Sequence, residues 1–300
     1  MAVVINRRAG AVRREGADRV AQAFRTALGT RLCYLHIGTG RDVAEAVRRA
    51  RDEGAHCILS IGGDGTCTAV AEMARAGGFI ASALPGGTKN ILARRLWGEE
   101  ATLFEIAERC GAGRVKLRHM DAGDANGRLF FVGASFGLIP HLARAREKLR
   151  GRAEPSGFFA ALRHVLRLGR RGLFQPRVAY ARPGKDTHRC AALMVSVKSI
   201  DEVLRRPGGK DDPASFDCAA ASPQGWWQLV WLGLRAVFTD TWRDHAAIDV
   251  FNVPALDVNG PSRLVVALDG EAIVLAPPVR LTMLQDAIPM LGADGSRPAA

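Results

Sequence analysis

Apolar residues follow two different rhythms along this chain. Over residues 1 to about 122, short apolar runs alternate with stretches in which apolar positions recur every three or four residues. Residues 3–5, 32–37, 57–61 and 79–84 read as strands, and residues 12–28, 42–53 and 66–76 as helices; the first helix would bury Val20, Phe24 and Leu28. Strand and helix alternating at this spacing predict βαβ units on a largely parallel sheet. After that the helical period fades. Residues 127–137, 177–181, 191–198, 248–253, 263–268 and 272–275 read as strands joined by turns, which predicts an antiparallel β-sandwich. Residues 182–186 and 205–215 read as surface loops, and 292–300 as a frayed tail. The fold class expected is α/β plus β: an α/β domain over residues 1–124, to which residues 285–300 return, followed by a sandwich domain over residues 125–284.

Composition supports a packed protein: 300 residues, 48% hydrophobic and 24% charged, unlike a disordered chain. No window approaches the roughly 18–20 uncharged apolar residues of a bilayer span. The N-terminal apolar run is too short for a secretory signal, so a cytoplasmic protein is expected. Net charge is +12, which favours anionic partners such as nucleotide phosphates or acidic headgroups. No zinc-finger or RNP-type motif accompanies the charge, so nucleic acid is not expected. Six scattered cysteines form no CxxC pair and seven histidines no HExxH cluster. Neither a disulfide framework nor a zinc site is expected.

The chemistry concentrates in two glycine loops. Gly62-Gly63-Asp64-Gly65-Thr66 follows the third strand and opens a helix. Glycines let backbone approach a ligand, and the N–H groups of a helix N-terminus can hold phosphate. Asp64 among them would repel phosphate unless Mg²⁺ stands between, directly or through water. The bland reading is a strand-to-helix turn with an acid for solubility. One strand later comes Pro85-Gly86-Gly87-Thr88-Lys89-Asn90, at the same carboxyl edge of a parallel sheet, where such sheets bind ligands. Neither loop fits GxxxxGK[ST] or GxGxxG.

These loops resemble the diacylglycerol kinase catalytic-domain family, which includes bacterial soluble lipid kinases and sphingosine kinases. The resemblance runs from Asn6 to Gly10, similar to the family's first turn, through both glycine loops with Ala93-Arg94, to Asp121 before the 127–136 hairpin and Asp269-Gly270-Glu271. It implies a nucleotide-binding α/β domain, a sandwich that takes the lipid, ATP as phosphoryl donor and Mg²⁺. Nucleotide contacts would fall on Asn6, Thr39, Gly62, Gly63, Asp64, Gly65, Thr66, Gly87, Thr88 and Asn90. Glu271 would be the catalytic base, with Asp64 and Asp121 in a Mg²⁺ and water network. Diacylglycerol is the first acceptor expected, ahead of sphingoid bases, monoacylglycerols and phosphatidylglycerol, in a phospholipid-synthesis setting. Three departures stand out. Arg7-Arg8-Ala9 replaces the usual proline-containing turn, Ile91 stands where many members carry an aspartate, and residues 212–217 lack the usual Asp-Gly of a structural metal loop.

A lipid kinase must reach a membrane surface. Residues 158–173 interleave Phe159, Leu162, Val165, Leu166 and Leu173 with Arg163, Arg167, Arg170 and Arg171, and residues 225–238 carry Trp226, Trp227 and Trp231. Both could lie peripherally on anionic headgroups, or pack on the sandwich with solvated arginines. Whether two copies pair as a homodimer stays open. Other readings compete. NAD kinases share the first glycine motif but carry others not visible here, and a silent nucleotide- or lipid-binding regulator would explain Ile91. Gly133-Ala134-Ser135-Phe136-Gly137 matches the GxSxG elbow of serine hydrolases, with Asp240 and His245 as triad partners. Pro140 and the poor Asp240–His245 spacing speak against it.

Overall fold

The computed structural model describes residues 1–140, 178–184, 186–197, 214–222, 228 and 245–294. The chain divides into two compact units, Met1–Asp121 with Asp286–Ala300, and Ala122–Gln285.

The first unit is α/β. Its elements in order are β1 (Ala2–Asn6), α1 (Gly10–Glu15), α2 (Ala17–Leu28), β2 (Tyr34–Gly38), α3 (Val43–Asp52), β3 (Cys57–Gly62), α4 (Asp64–Gly77), β4 (Ile80–Pro85), α5 (Ile91–Trp97) and α6 (Leu103–Gly111). The strands lie in the order β2-β1-β3-β4, all parallel. Met290, near the end of the last strand of the chain, pairs in parallel with Ala81 of β4. β1 and β3 are buried almost throughout, as expected for parallel strands covered on both faces, and this explains their unbroken apolar runs. The helices bury one stripe each: Val20, Ala21, Phe24 and Leu28 on α2, and Val43, Ala46, Val47 and Ala50 on α3.

Three local readings are corrected. The helix expected over residues 12–28 is two helices, because Gly16 adopts φ 84° between them. Two further helices, α5 and α6, follow β4. α6 opens with a capping box in which Thr102 and Glu105 satisfy each other's backbone N–H. Gly292 and Ala293 are the end of a strand, β16, rather than frayed tail. A Cβ on Gly292 would lie 2.7 Å from the Leu96 carbonyl oxygen.

The second unit holds antiparallel strands. The last residues of β5 (Val115–Ala125) form a hairpin with β6 (Arg128–Phe130). β9 (Thr187–Cys190), β8 (Val178–Ala181), β13 (Ala255–Asn259) and the first part of β16 (Val279–Ala293) are antiparallel neighbours in that order. A six-stranded sheet runs β12-β11-β10-β7-β14-β15, with β7 (Gly133–Gly137), β10 (Ala192–Ser196), β11 (Phe216–Ala221), β12 (Ile248–Val253), β14 (Leu264–Leu268) and β15 (Glu271–Leu275). Phe130, Val178, Leu256 and Leu281 from the first set pack with Phe136, Val195, Phe216 and Val266 from the second in one core. Each fully buried phenylalanine there contributes about 1.5–3 kcal/mol. This is the α/β-then-antiparallel-β architecture the pattern predicts.

Candidate active site

β1 is the strand at which the sheet order reverses, since its chain neighbour β2 lies on one side and β3 on the other. Open α/β sheets bind ligands beyond the carboxyl ends of the strands at such a point. Asn6 and Gly62 end the two flanking strands. The loops there are laced by backbone hydrogen bonds: Ala11 donates to Gly86 O at 2.8 Å, and Gly86 donates to Gly62 O at 3.0 Å. The glycines allow that approach. A Cβ on Gly86 would sit 2.7 Å from Gly62 N, and one on Gly87 2.6 Å from Gly63 Cα. Gly63 differs, because its Cβ would meet nothing closer than 3.9 Å. Packing explains Gly86 and Gly87, and also Gly62, whose Cβ would lie 2.6 Å from Thr66 Cβ, whereas Gly63 stays small with room around it.

α4 starts at Asp64, two residues earlier than its apolar pattern suggests, so Asp64, Gly65 and Thr66 form its first turn. Cys67 N donates to Gly63 O, which leaves the N–H groups before it without an intrahelical acceptor, the arrangement that holds anions. Asn6 Nδ2 donates to Thr66 Oγ1 at 3.0 Å, while Asn6 Oδ1 accepts from Arg8 N at 3.0 Å. Asn6 thus joins the β1 and β3 loops. Asp64 Oδ1 accepts from Ile91 N at 2.7 Å. Asn90, at φ 52°, turns its amide back on Gly87, accepting from its N–H at 2.6 Å and donating to its carbonyl at 3.1 Å. Gly87 N–H is therefore committed to Asn90. Thr88 and Lys89 stand exposed at the tip of that loop.

Thr39 follows β2, and a residue the sequence reading passed over holds it. Asp42 Oδ2 accepts from Thr39 N at 2.7 Å and from Thr39 Oγ1 at 3.0 Å. Those two bonds hold the Asp42 carboxyl below the usual carboxylate range, helped by the charges of His36 and Arg7. Thr39-Gly40-Arg41-Asp42 is a short polar turn of the kind aspartates make with nearby backbone N–H groups, and that signal was available. Asp121 Oδ1 accepts from Asp286 N at 2.9 Å. Among the described residues no three His, Cys, Asp or Glu side chains gather as a metal cluster.

In the second unit, β14 and β15 are joined by Asp269 and Gly270 at φ 49° and 87°, the left-handed pair favoured in two-residue hairpins. The Asp269 carboxylate accepts three backbone N–H groups: Phe131 at 2.8 Å, Val132 at 2.8 Å and Gly133 at 3.0 Å. Glu271, the next residue but one, begins β15 opposite Leu268. It is exposed, and its carboxylate makes no hydrogen bond or ion pair among the described residues. Ser135 lies mid-strand in β7, opposite Met194 and Ala267, not at the strand-to-helix turn a nucleophile elbow needs. Its flanking glycines serve packing: a Cβ on Gly133 or Gly137 would lie 2.7 Å from Val195 O or 2.2 Å from Ala191 O. His245 Nδ1 accepts from Ala247 N at 3.1 Å, and Asp240 lies outside the described residues. The hydrolase reading falls on Ser135.

The basic stretch 158–173, the tryptophans at 226, 227 and 231, and residues 212 and 213 also lie outside the described residues. Asp217 is a buried residue of β11. Among the described residues, no helix is long and apolar enough to cross a membrane.

Residues 1–123 match the model of the diacylglycerol kinase catalytic domain. Crystal structures from Bacillus anthracis str. Sterne share the fold. One, named provisionally as a diacylglycerol kinase, is 19% identical with a TM-score of 0.65, and the match covers 96% of this chain and 93% of that one. Another, named a diacylglycerol kinase, is 18% identical with a TM-score of 0.62, covering 96% and 95%. The match takes in the first 123 of the 300 residues, so it is this part of the chain that is similar to a diacylglycerol kinase catalytic domain, a likeness that supports a lipid kinase.

Proposed function

We propose that this protein transfers the γ-phosphoryl group of ATP to a lipid hydroxyl, diacylglycerol first among acceptors, with Mg²⁺ bound. The observation that carries the reading is the cradle at the carboxyl edge of the first unit: the open N–H groups of the first α4 turn, the Thr66 hydroxyl, and the laced loops around Gly63. Such a cradle suits a polyphosphate. The donor set suits Mg²⁺ as well. Asp64 spends Oδ1 on Ile91 N, leaving its second oxygen for a cation that takes its remaining ligands from phosphate and water. Asp121 would join through water. The ion, when bound, supplies charge neutralisation on the phosphates.

The chain's own residues do the rest. Asn6 fixes the Thr66 hydroxyl, and Asn90 holds the second loop closed on Gly87. A lipid hydroxyl is a weak nucleophile, so a carboxylate must take its proton as the new P–O bond forms and the γ-phosphorus parts from the bridging oxygen of the ADP that leaves. Glu271 is assigned that role. Asp269 anchors the hairpin that presents Glu271, and the Glu271 carboxylate makes no hydrogen bond or ion pair among the described residues. Transfer at a membrane surface would be peripheral and draw on the excess of +12 charges.

The test is Mg²⁺-dependent transfer of labelled γ-phosphate to a panel of lipids in mixed micelles. Product from diacylglycerol, and little from sphingoid bases or NAD⁺, is expected. Product only with NAD⁺ would sink the reading.

A further inference from the structure

The first part of β5 has an open edge that carries three cations. β5 pairs with β16, while β6 meets it only at Gly123, Asp124 and Ala125. Residues 115–121 therefore have no strand on their other side among the described residues. Alternation places Arg114, Lys116 and Arg118 in one row and Val115, Leu117 and His119 in the other. No aspartate or glutamate occurs between residues 111 and 120. The cations are also unneutralised. Lys116 is exposed, Arg118 donates to the Ala293 carbonyl at 2.8 Å, and Nε of both Arg114 and Arg118 is buried without a partner. None of the three pairs with a carboxylate among the described residues, although Glu108 of α6 borders the same groove as Arg114. By contrast, Arg48 and Arg49 on α3 both pair with Glu45.

Charged side chains on an open edge discourage other chains from pairing with it. That need alone does not account for this row. β2, the other edge strand of the unit, has no lysine or arginine between Tyr34 and Gly38. β5 also presents Leu117, 43% exposed and one of two large apolar side chains so open among the described residues. An apolar side chain flanked by Lys116 and Arg118 suits the boundary between anionic headgroups and hydrocarbon. We infer that the open edge of β5 is a docking surface for an anionic bilayer, with Arg114, Lys116 and Arg118 on headgroup phosphates and Leu117 inserted beside them. A surface met edge-on reaches both rows. The inference rests on the lipid-kinase reading only for its purpose, which is to bring the protein onto the membrane that holds its acceptor. The docking itself needs neither ATP nor catalysis.

The experiment measures binding of the full chain, without nucleotide, to vesicles of phosphatidylcholine alone and of phosphatidylcholine mixed with phosphatidylglycerol. The native protein should prefer the anionic vesicles, and added salt should erase the preference. Lys116→Gln should weaken that binding about fivefold, the worth of one cation at an anionic surface, and Arg114→Gln combined with Lys116→Gln about twentyfold. Lys116→Arg keeps the charge and should bind as the native protein does. Leu117→Ser should weaken binding severalfold and leave its salt dependence unchanged. Lys116 and Leu117 are exposed, so their variants should unfold at the native midpoint. The double variant should lose transfer to diacylglycerol carried in anionic vesicles and keep transfer to a dispersed short-chain diacylglycerol. Undiminished binding of the double variant to anionic vesicles overturns the inference, and leaves edge protection as the role of the row if that variant self-associates. A native protein that binds single-stranded nucleic acid in place of those vesicles overturns it too. The two readings fail separately. Vesicle binding that depends on this row, with no transfer to any lipid, supports the docking surface and removes the kinase.

Discussion

The carboxylate of Asp64, in the first turn of α4, accepts the backbone N–H of Ile91 at the start of α5 across 2.7 Å. α5 begins behind Asn90, whose side chain is turned back on Gly87 and caps nothing. Asp64 supplies the missing cap from the neighbouring loop. One carboxylate oxygen is thus structural, and the other is the one proposed above for Mg²⁺. The bond uses the Ile91 backbone, so an apolar side chain at that position leaves it untouched.

The two duties of Asp64 separate by substitution. Asp64→Ala removes the cap and should cost about 1 kcal/mol of stability in urea unfolding. Asp64→Asn can still accept from Ile91 N, so it should unfold within a few tenths of a kcal/mol of the native protein while losing most transfer activity. Equal activity in the asparagine variant would remove Asp64 from the chemistry.

Gly63 and Gly87 should respond differently to alanine. A methyl on Gly87 meets Gly63 Cα at 2.6 Å, and relieving such an overlap costs about 1–3 kcal/mol. Gly63→Ala has space and an ordinary extended backbone, so its stability should fall by less than about 1 kcal/mol. Its nucleotide affinity should nevertheless drop about tenfold or more, because the methyl occupies the space proposed for phosphate. Calorimetry on both variants checks the contrast.

Asp269 should be the costliest of the motif acids to remove. Asp269→Ala strands three backbone N–H groups, at Phe131, Val132 and Gly133, and asks alanine to adopt φ 49°. Together these should destabilise by about 3 kcal/mol or more. Glu271→Gln, two residues on, should leave the denaturation midpoint unchanged.

Stability should also fall at high pH through Tyr180. Burial, and the Asp249 carboxylate to which its hydroxyl donates at 3.0 Å, push the phenol up to about 12; the nearby Arg182 pulls it back. Between pH 10 and 12 the folded phenol keeps a proton that the unfolded one has lost. The stabilisation is therefore complete below pH 10 and disappears as pH rises toward 12. Tyr180→Phe should remove this alkaline step, read by unfolding at stepped pH, and should also remove one late-titrating phenolate from the ultraviolet spectrum.

The fold class was legible because β1 and β3 are buried on both faces and therefore unbroken apolar runs, whereas β7, β8 and β13 of the second unit alternate. What local pattern could not show is contact at long sequence separation. Asn6 meets Thr66 and Asp269 meets Phe131 at separations of 60 and 138 residues, and nothing in either neighbourhood announces the partner. The Thr39–Asp42 turn was legible, since donor and acceptor are three residues apart. The GxSxG match misled for a physical reason. Its glycines lie under neighbouring carbonyls in a central strand, a packing need that produces the same spacing as an elbow. The break at Gly16 shows that one glycine can outweigh a continuous helical period when its backbone turns to positive φ.

The most direct test compares binding with transfer in Glu271→Gln. The variant keeps size and hydrogen bonding but cannot accept a proton at neutral pH. It should bind ATP within about threefold of the native protein, while Mg²⁺-dependent transfer to diacylglycerol falls by at least about a hundredfold, the usual worth of a general base. Undiminished transfer would contradict the assignment of Glu271 as the base.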